Sequence, residues 1–213
     1  MKLFSKLAAV AALAAASSAF AVGPGTYFAS IPSEGVANLP LKPSINGDLV
    51  LPQYDGAQPL QGIIVALSGY VTSSGSFTNN DAASVDYSID LNATGKLFVP
   101  STTTVLLAIS PSGPGLTGTL GAGLGTNFGP LVGTDNGSVS VAPAGWAPYL
   151  GSGDVTIPYS LLGSAIISGG SNLTSTIVTQ GSLTASVTYV VPEPAALGLI
   201  APAATLLGRR RRA

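Results

Sequence analysis

The chain has 213 residues, of which 46% are apolar and only 8% charged, with a formal net charge of −1. An ordinary globular domain carries about 25% charged residues, so charge is depleted about threefold. With no Cys, no His and a single Met, the sequence excludes a disulfide framework, a thiol nucleophile, Cys/His zinc ligation and a histidine general base.

In chain order, the first element is an export segment. Lys2 and Lys6 precede and flank a run of apolar residues at 7–16, and Ser17 and Ser18 lead into Ala19-Phe20-Ala21. A basic start, an apolar stretch too short to be a permanent span and an A-x-A site are the parts of a secretory signal peptide. Residues 1–21 are therefore expected to form a signal helix, with Ala19 and Ala21 at the cleavage site and the export machinery and a signal peptidase as partners. Residues 22–43, with Pro24, Pro32, Pro40 and Pro43, read as an extended arm or a weak first strand.

Residues 44–191 read as one β domain. The run 62–71 is almost continuously apolar, as expected of a central strand covered on both faces. Val85, Tyr87, Ile89 and Leu91 alternate with Ser84, Asp86, Ser88 and Asp90, a period of two. Residues 102–109, 138–141 and 155–159 are further strand candidates, and Leu183, Ala185, Val187 and Tyr189 alternate with Thr184, Ser186 and Thr188. Clusters of Gly, Pro, Asn and Ser separate these runs, as turns require. Residues 111–130, rich in glycine and holding Pro111, Pro114 and Pro130, are expected to be a long loop. No interior stretch has a helical period and no fixed repeat is found, so the expected fold is an all-β, antiparallel β-sandwich.

The opening of this domain carries a resemblance. Leu49-Val50-Leu51-Pro52-Gln53-Tyr54-Asp55, followed by Leu60-Gln61-Gly62-Ile63-Ile64-Val65-Ala66-Leu67, resembles the start of the choice-of-anchor E domain family. Gly56-Ala57-Gln58-Pro59 stands where that family has Gly-Thr. The resemblance implies a secreted bacterial domain with an interchangeable C-terminal sorting tail and no assigned catalysis.

Such a tail is present at residues 192–213. Pro192-Glu193-Pro194 is followed by the apolar run 195–208 and then by Arg209, Arg210, Arg211 and Arg212. Fourteen helical residues reach about 21 Å, against about 30 Å of bilayer hydrocarbon. Pro202 interrupts the run, while the arginines would hold its end on the cytoplasmic side. This order resembles the PEP-CTERM sorting signal of Gram-negative bacteria. The resemblance implies a short apolar helix that anchors transiently in the inner membrane, recognition by an exosortase-type membrane protease, and delivery to the cell surface or matrix of an exopolysaccharide-producing, biofilm-forming cell.

With both ends set aside, residues 22–191 hold two lysines, Lys42 and Lys96, against eight acids, a net of −6. A basic footprint for nucleic acid is absent from this part. Gly113, Gly115 and Gly118 spell G-x-G-x-x-G, but Pro114 and the glycines beyond leave no helix start for a dinucleotide fold. Asp86 and Asp90 share one face of a strand about 13 Å apart, too far for a glycosidase pair without a carboxylate from another strand. Asp81 beside Asn79 and Asn80, and Asp135 beside Asn136, offer oxygen ligands of the kind calcium takes, yet neither matches an EF-hand loop and turn chemistry accounts for both. Serines lack a base and no G-x-S-x-G occurs. Trp146 and Tyr149 form an aromatic cluster between prolines, suited either to close one end of the core or to stack on sugar rings.

The expected function is non-catalytic, with no cofactor and no metal. An exported cell-surface or matrix protein, structural or adhesive among exopolysaccharides, fits best. A carbohydrate-binding module using Trp146 and Tyr149 is the first alternative, and a glycan hydrolase the second.

Overall fold

A computed structural model of the chain describes residues 25–31, 39–40, 44–56 and 58–192. The expected signal helix and C-terminal apolar helix fall outside them. Ten strands form two antiparallel sheets packed face to face: β1 (Gly25–Ile31), β2 (Leu39–Pro40), β3 (Ile45–Pro52), β4 (Gly62–Asn79), β5 (Val85–Phe98), β6 (Val105–Ile109), β7 (Leu116–Leu120), β8 (Gly125–Ser140), β9 (Asp154–Gly169) and β10 (Leu173–Val190). The first sheet runs β1-β10-β4-β8 with β2 also on β10, and the second runs β3-β9-β5-β6 with β7 also on β5. The described helices are two single 3-10 turns, Pro143–Gly145 and Ala147–Tyr149. No helix among the described residues is long and apolar enough to cross a membrane.

Alternation makes the sandwich. On β10, Leu183, Ala185, Val187 and Tyr189 are buried while Thr184 is exposed and Ser186 and Thr188 are half-exposed. β4 alternates as well, so the expectation that it is covered on both faces is corrected. Ile63, Val65 and Leu67 are buried, but Ile64 and Ser68 on the outer face are exposed. β4 is central only in its hydrogen bonding, between β10 and β8.

The expected loop at 111–130 is also corrected: it contains β7 and the first part of β8. Its glycines serve close approach of backbones. Ser112 bridges Asn92 of β5 on one side and Thr134 of β8 on the other, so this segment joins the two sheets. A β-carbon on Gly133 would lie 2.6 Å from the Ser112 carbonyl carbon, which is why no larger residue fits at the crossing. The first strand of the expected arm likewise pairs fully, from Gly25 opposite Tyr189 to Ile31 opposite Leu183.

The interior is divided. A main core includes Leu51, Ile63, Val65, Leu67, Leu97, Ile157, Leu183 and Val187, all essentially inaccessible. A smaller core of Phe77, Ile89, Leu120 and Phe128 fills the end away from the termini. Near where they meet, Ser73 and Thr179 are buried, and the β4–β8 register slips between Ser73 and Gly75.

The end away from the termini is tied by two side chains. Asn79, fully buried, donates through Nδ2 to the carbonyls of Ala83, Leu120 and Gly121 at 2.8, 3.1 and 3.2 Å, and its Oδ1 accepts from the Asp81 amide at 2.9 Å. The Asp81 carboxylate accepts from the Ser171 amide and hydroxyl, both at 3.0 Å. Three connections that pass from one sheet to the other, β4–β5, β7–β8 and β9–β10, are thereby joined by charge-free and charge-assisted bonds.

Candidate functional site

The two sheets divide the charge between them. On the outer face of the second sheet stand Asp48, Asp86, Asp90, Lys96 and Asp154, each at an outward register position. The outer face of the first sheet bears no Asp, Glu, Lys or Arg among the described residues. Rows across it read Thr26-Thr188-Ile64-Ser140, then Phe28-Ser186-Ala66-Ser138, then Ser30-Thr184-Ser68-Asn136. Hydroxyls and amides therefore repeat at the strand spacing on an uncharged surface. The Thr26 and Thr188 hydroxyls bond each other at 2.9 Å.

Within this face Phe28 is 69% exposed. Its ring borders a shallow depression of about 260 Å³ lined also by Ser68, Asn136, Ser138, Thr184 and Ser186. An aromatic face beside neutral donors and acceptors can stack on an apolar ring face and bond the hydroxyls around it. Phe28 is not among the residues expected from sequence, where 22–43 read as an extended arm or a weak first strand with no face assigned. The signal that could have found it is the alternation of Thr26, Phe28 and Ser30 with Tyr27, Ala29 and Ile31.

Trp146 and Tyr149 sit elsewhere. Tyr149 is 1% exposed and belongs to the main core, and the half-buried Trp146 packs against that core and donates from Nε1 to the Val141 carbonyl at 2.8 Å. Tyr149 thus offers no ring face to a sugar, and the pair closes one end of the interior; the expectation of a stacking pair is corrected on that ground. Around them Tyr54 and Tyr189 pack with ring centroids 5.4 Å apart, and Tyr27 lies 6.0 Å from Tyr189. The Tyr189 hydroxyl donates to the Pro52 carbonyl at 2.7 Å. The Tyr149 hydroxyl is buried with no hydrogen-bond partner. Burial pushes its pKa up to about 12.

The carboxylates do not converge. Asp86 accepts from the Thr119 hydroxyl at 2.6 Å, at the edge of an open depression of about 510 Å³ that Asp90 does not line. Among the described residues no three His, Cys, Asp or Glu side chains gather as metal ligands would. Asp81 is engaged by Ser171, whose amide and hydroxyl hold its carboxyl below the usual range. Asp135 accepts from the Ser110 and Asn136 amides at 2.7 and 2.8 Å. Gly113 and Gly118 lie in the β6–β7 segment along β5, with no helix following.

Of the sorting residues, Pro192 is described and lies two positions after Val190, the last residue of β10. Glu193, Pro194, Arg209, Arg210, Arg211 and Arg212 lie outside the described residues, as do Ala19 and Ala21. The position of Gly25 opposite Tyr189 places the start of β1 and the end of β10 side by side at one end of the sandwich.

No protein-family model matches the chain. Nor does any curated protein match it. Among solved structures, 82% of the chain aligns with 42% of a chain from the structure of infectious bursal disease virus Gx strain, at 12% identity and a TM-score of 0.19. So low a score carries no argument about fold or function.

Proposed function

We propose that this chain is an exported, non-catalytic protein of the cell surface or extracellular matrix, structural or adhesive among exopolysaccharides, and sorted by an exosortase-type system. The observation that carries the structural part is the outer face of the first sheet, uncharged and lined with Ser, Thr and Asn. Such a face is well hydrated and compatible with dense neutral polymer. Association through it depends on many weak hydrogen bonds and not on titrating groups. The sorting part rests on the order Pro192-Glu193-Pro194, apolar run, four arginines, behind a signal peptide. The adjacent ends of β1 and β10 are compatible with it, since the described chain enters and leaves the domain at one end.

Replacing Glu193 or deleting residues 209–212 tests the sorting part. Unprocessed chain then accumulates in the inner membrane of the exporting host. Normal release of either variant would overturn it.

One observation favours a more specific second reading, a carbohydrate-binding module. Phe28 and its hydroxyl-lined depression have the chemistry for a neutral sugar ring, and they replace Trp146 and Tyr149 as the residues to test.

A further inference from the structure

β10 and β9 each run past the strands that flank them. β1 and β2 pair with β10 only at 180–189, and β3 pairs with β9 only at 154–161. Beyond those points residues 173–179 of β10 are bonded to β4 alone, and residues 162–169 of β9 to β5 alone, among the described residues. Because β1 and β3 lie against each other, the two bare edges open on the same side of the sandwich. Backbone donors and acceptors on an unpaired edge are a template for another strand.

Three other edges carry devices that discourage pairing: β3 has Asp48 and Pro52, β8 has Pro130 and Asp135, and the β6–β7 edge is broken by Pro111 and Pro114. The bare stretches, Leu-Thr-Ser-Thr-Ile-Val-Thr and Leu-Gly-Ser-Ala-Ile-Ile-Ser-Gly, contain neither proline nor charge. Their flanks are apolar: Leu162, Ile166 and Val178 are about half exposed, and Ile167 and Ile177 of the smaller core are only partly buried here. The smaller core is thus unsealed on this side.

We infer that these edges are the interface between two copies of this chain. The described residues hold seven Asp against one Lys, so copies meeting through the outer face of the second sheet bring like charges together, whereas the bare stretches themselves carry none and, unlike the uncharged outer face of the first sheet, offer unpaired backbone. A two-fold axis normal to the sheets sets each edge antiparallel to its own copy, in both sheets at once. Both sheets then continue from one subunit into the next, and the smaller cores are sealed against each other. Over residues 173–179 that symmetry places Thr176 opposite Thr176.

The test uses the full chain purified from an exporting host. Sedimentation equilibrium gives a concentration-dependent dimer, and Thr176→Lys combined with Ile166→Lys, both at exposed positions, weakens it at least tenfold by setting like charges across the pair. The chain has no Cys, so Thr176→Cys alone forms an intersubunit disulfide on oxidation, while Ser138→Cys on the β8 side does not. A monomer at all concentrations, a dimer indifferent to the lysines, or equal cross-linking at both positions would overturn the inference. Slow amide exchange at 173–179 in a monomer would also overturn it, by showing that the chain's own residues cover the edge.

Discussion

The hydroxyls of Ser73 on β4 and Thr179 on β10 lie 3.1 Å apart inside the sandwich, 1% and 7% exposed. Each is the other's main polar partner, apart from a longer Ser73 bond to the Val178 carbonyl at 3.4 Å. Their value to the fold is mutual satisfaction. Ser73→Ala strands the Thr179 hydroxyl and costs about 1–2 kcal/mol, whereas Ser73→Ala with Thr179→Val removes both polar groups and returns most of that loss. Urea denaturation of the two singles and the double closes the cycle, and additive losses would contradict the pairing.

The two buried tyrosines behave in opposite ways. Tyr149→Phe deletes a hydroxyl with no partner and leaves stability unchanged or raises it by about 1 kcal/mol. Tyr189→Phe breaks the bond to Pro52 and lowers stability by about 1 kcal/mol. Thermal unfolding of the two variants side by side checks the contrast.

The same burial sets the alkaline limit. Tyr149 titrates near 12 when folded and near 10 when unfolded. A raised folded pKa means that the stability linked to this proton is complete below pH 10 and is lost as pH rises through about 12. Tyr189 is shifted upward too, first by burial and then by Tyr149 and Tyr27. With no His or Cys in the chain, denaturant midpoints are expected to stay level between about pH 6 and 9 and fall steeply above 10. Tyr149→Phe makes that fall shallower.

Asn79 is the strongest single point of attachment at the end away from the termini. Asn79→Ala removes the side-chain bonds to the carbonyls of Ala83, Leu120 and Gly121, the last of which keeps the Leu124 amide, and takes the acceptor from the Asp81 amide, at a cost of about 3 kcal/mol. Amide exchange should quicken first in the turns around residues 80–84 and 121–124.

How legible these features were follows from residue type. The alternation at 85–91 and 183–189 could be read because the outward partners are Ser, Thr and Asp, which contrast with the apolar inward set. At 162–169 Leu162 and Ile166 point outward while Ala165 and Ile167 point inward, so apolar residues fall on both faces and erase the period. Residues 111–130 were misread because glycine signals a turn and also permits backbones to touch, and Gly133 against Ser112 is the second case. Ser73, Asn79 and Thr179 are polar residues whose type does not mark them as buried. Their burial depends on partners 41 to 106 positions away, which no local pattern displays. Phe28 was obscured by the prolines around β1.

For the surface, Phe28→Ala is expected to weaken retention on a neutral polysaccharide about tenfold, the loss of one stacking contact. Trp146→Phe, which loses the bond to Val141 and some packing against the main core but no part of the Phe28 depression, leaves retention unchanged. Affinity electrophoresis in neutral and anionic glycans separates the two, and unchanged retention of Phe28→Ala would remove the second reading.

Intact-mass spectrometry of the protein recovered from its exporting host tests the central claim most directly. The account predicts a chain that begins after Ala21 and has lost Arg209 to Arg212, recovered from the cell surface or matrix. A chain that keeps Met1 and all four arginines, found in the cytoplasm, would contradict it.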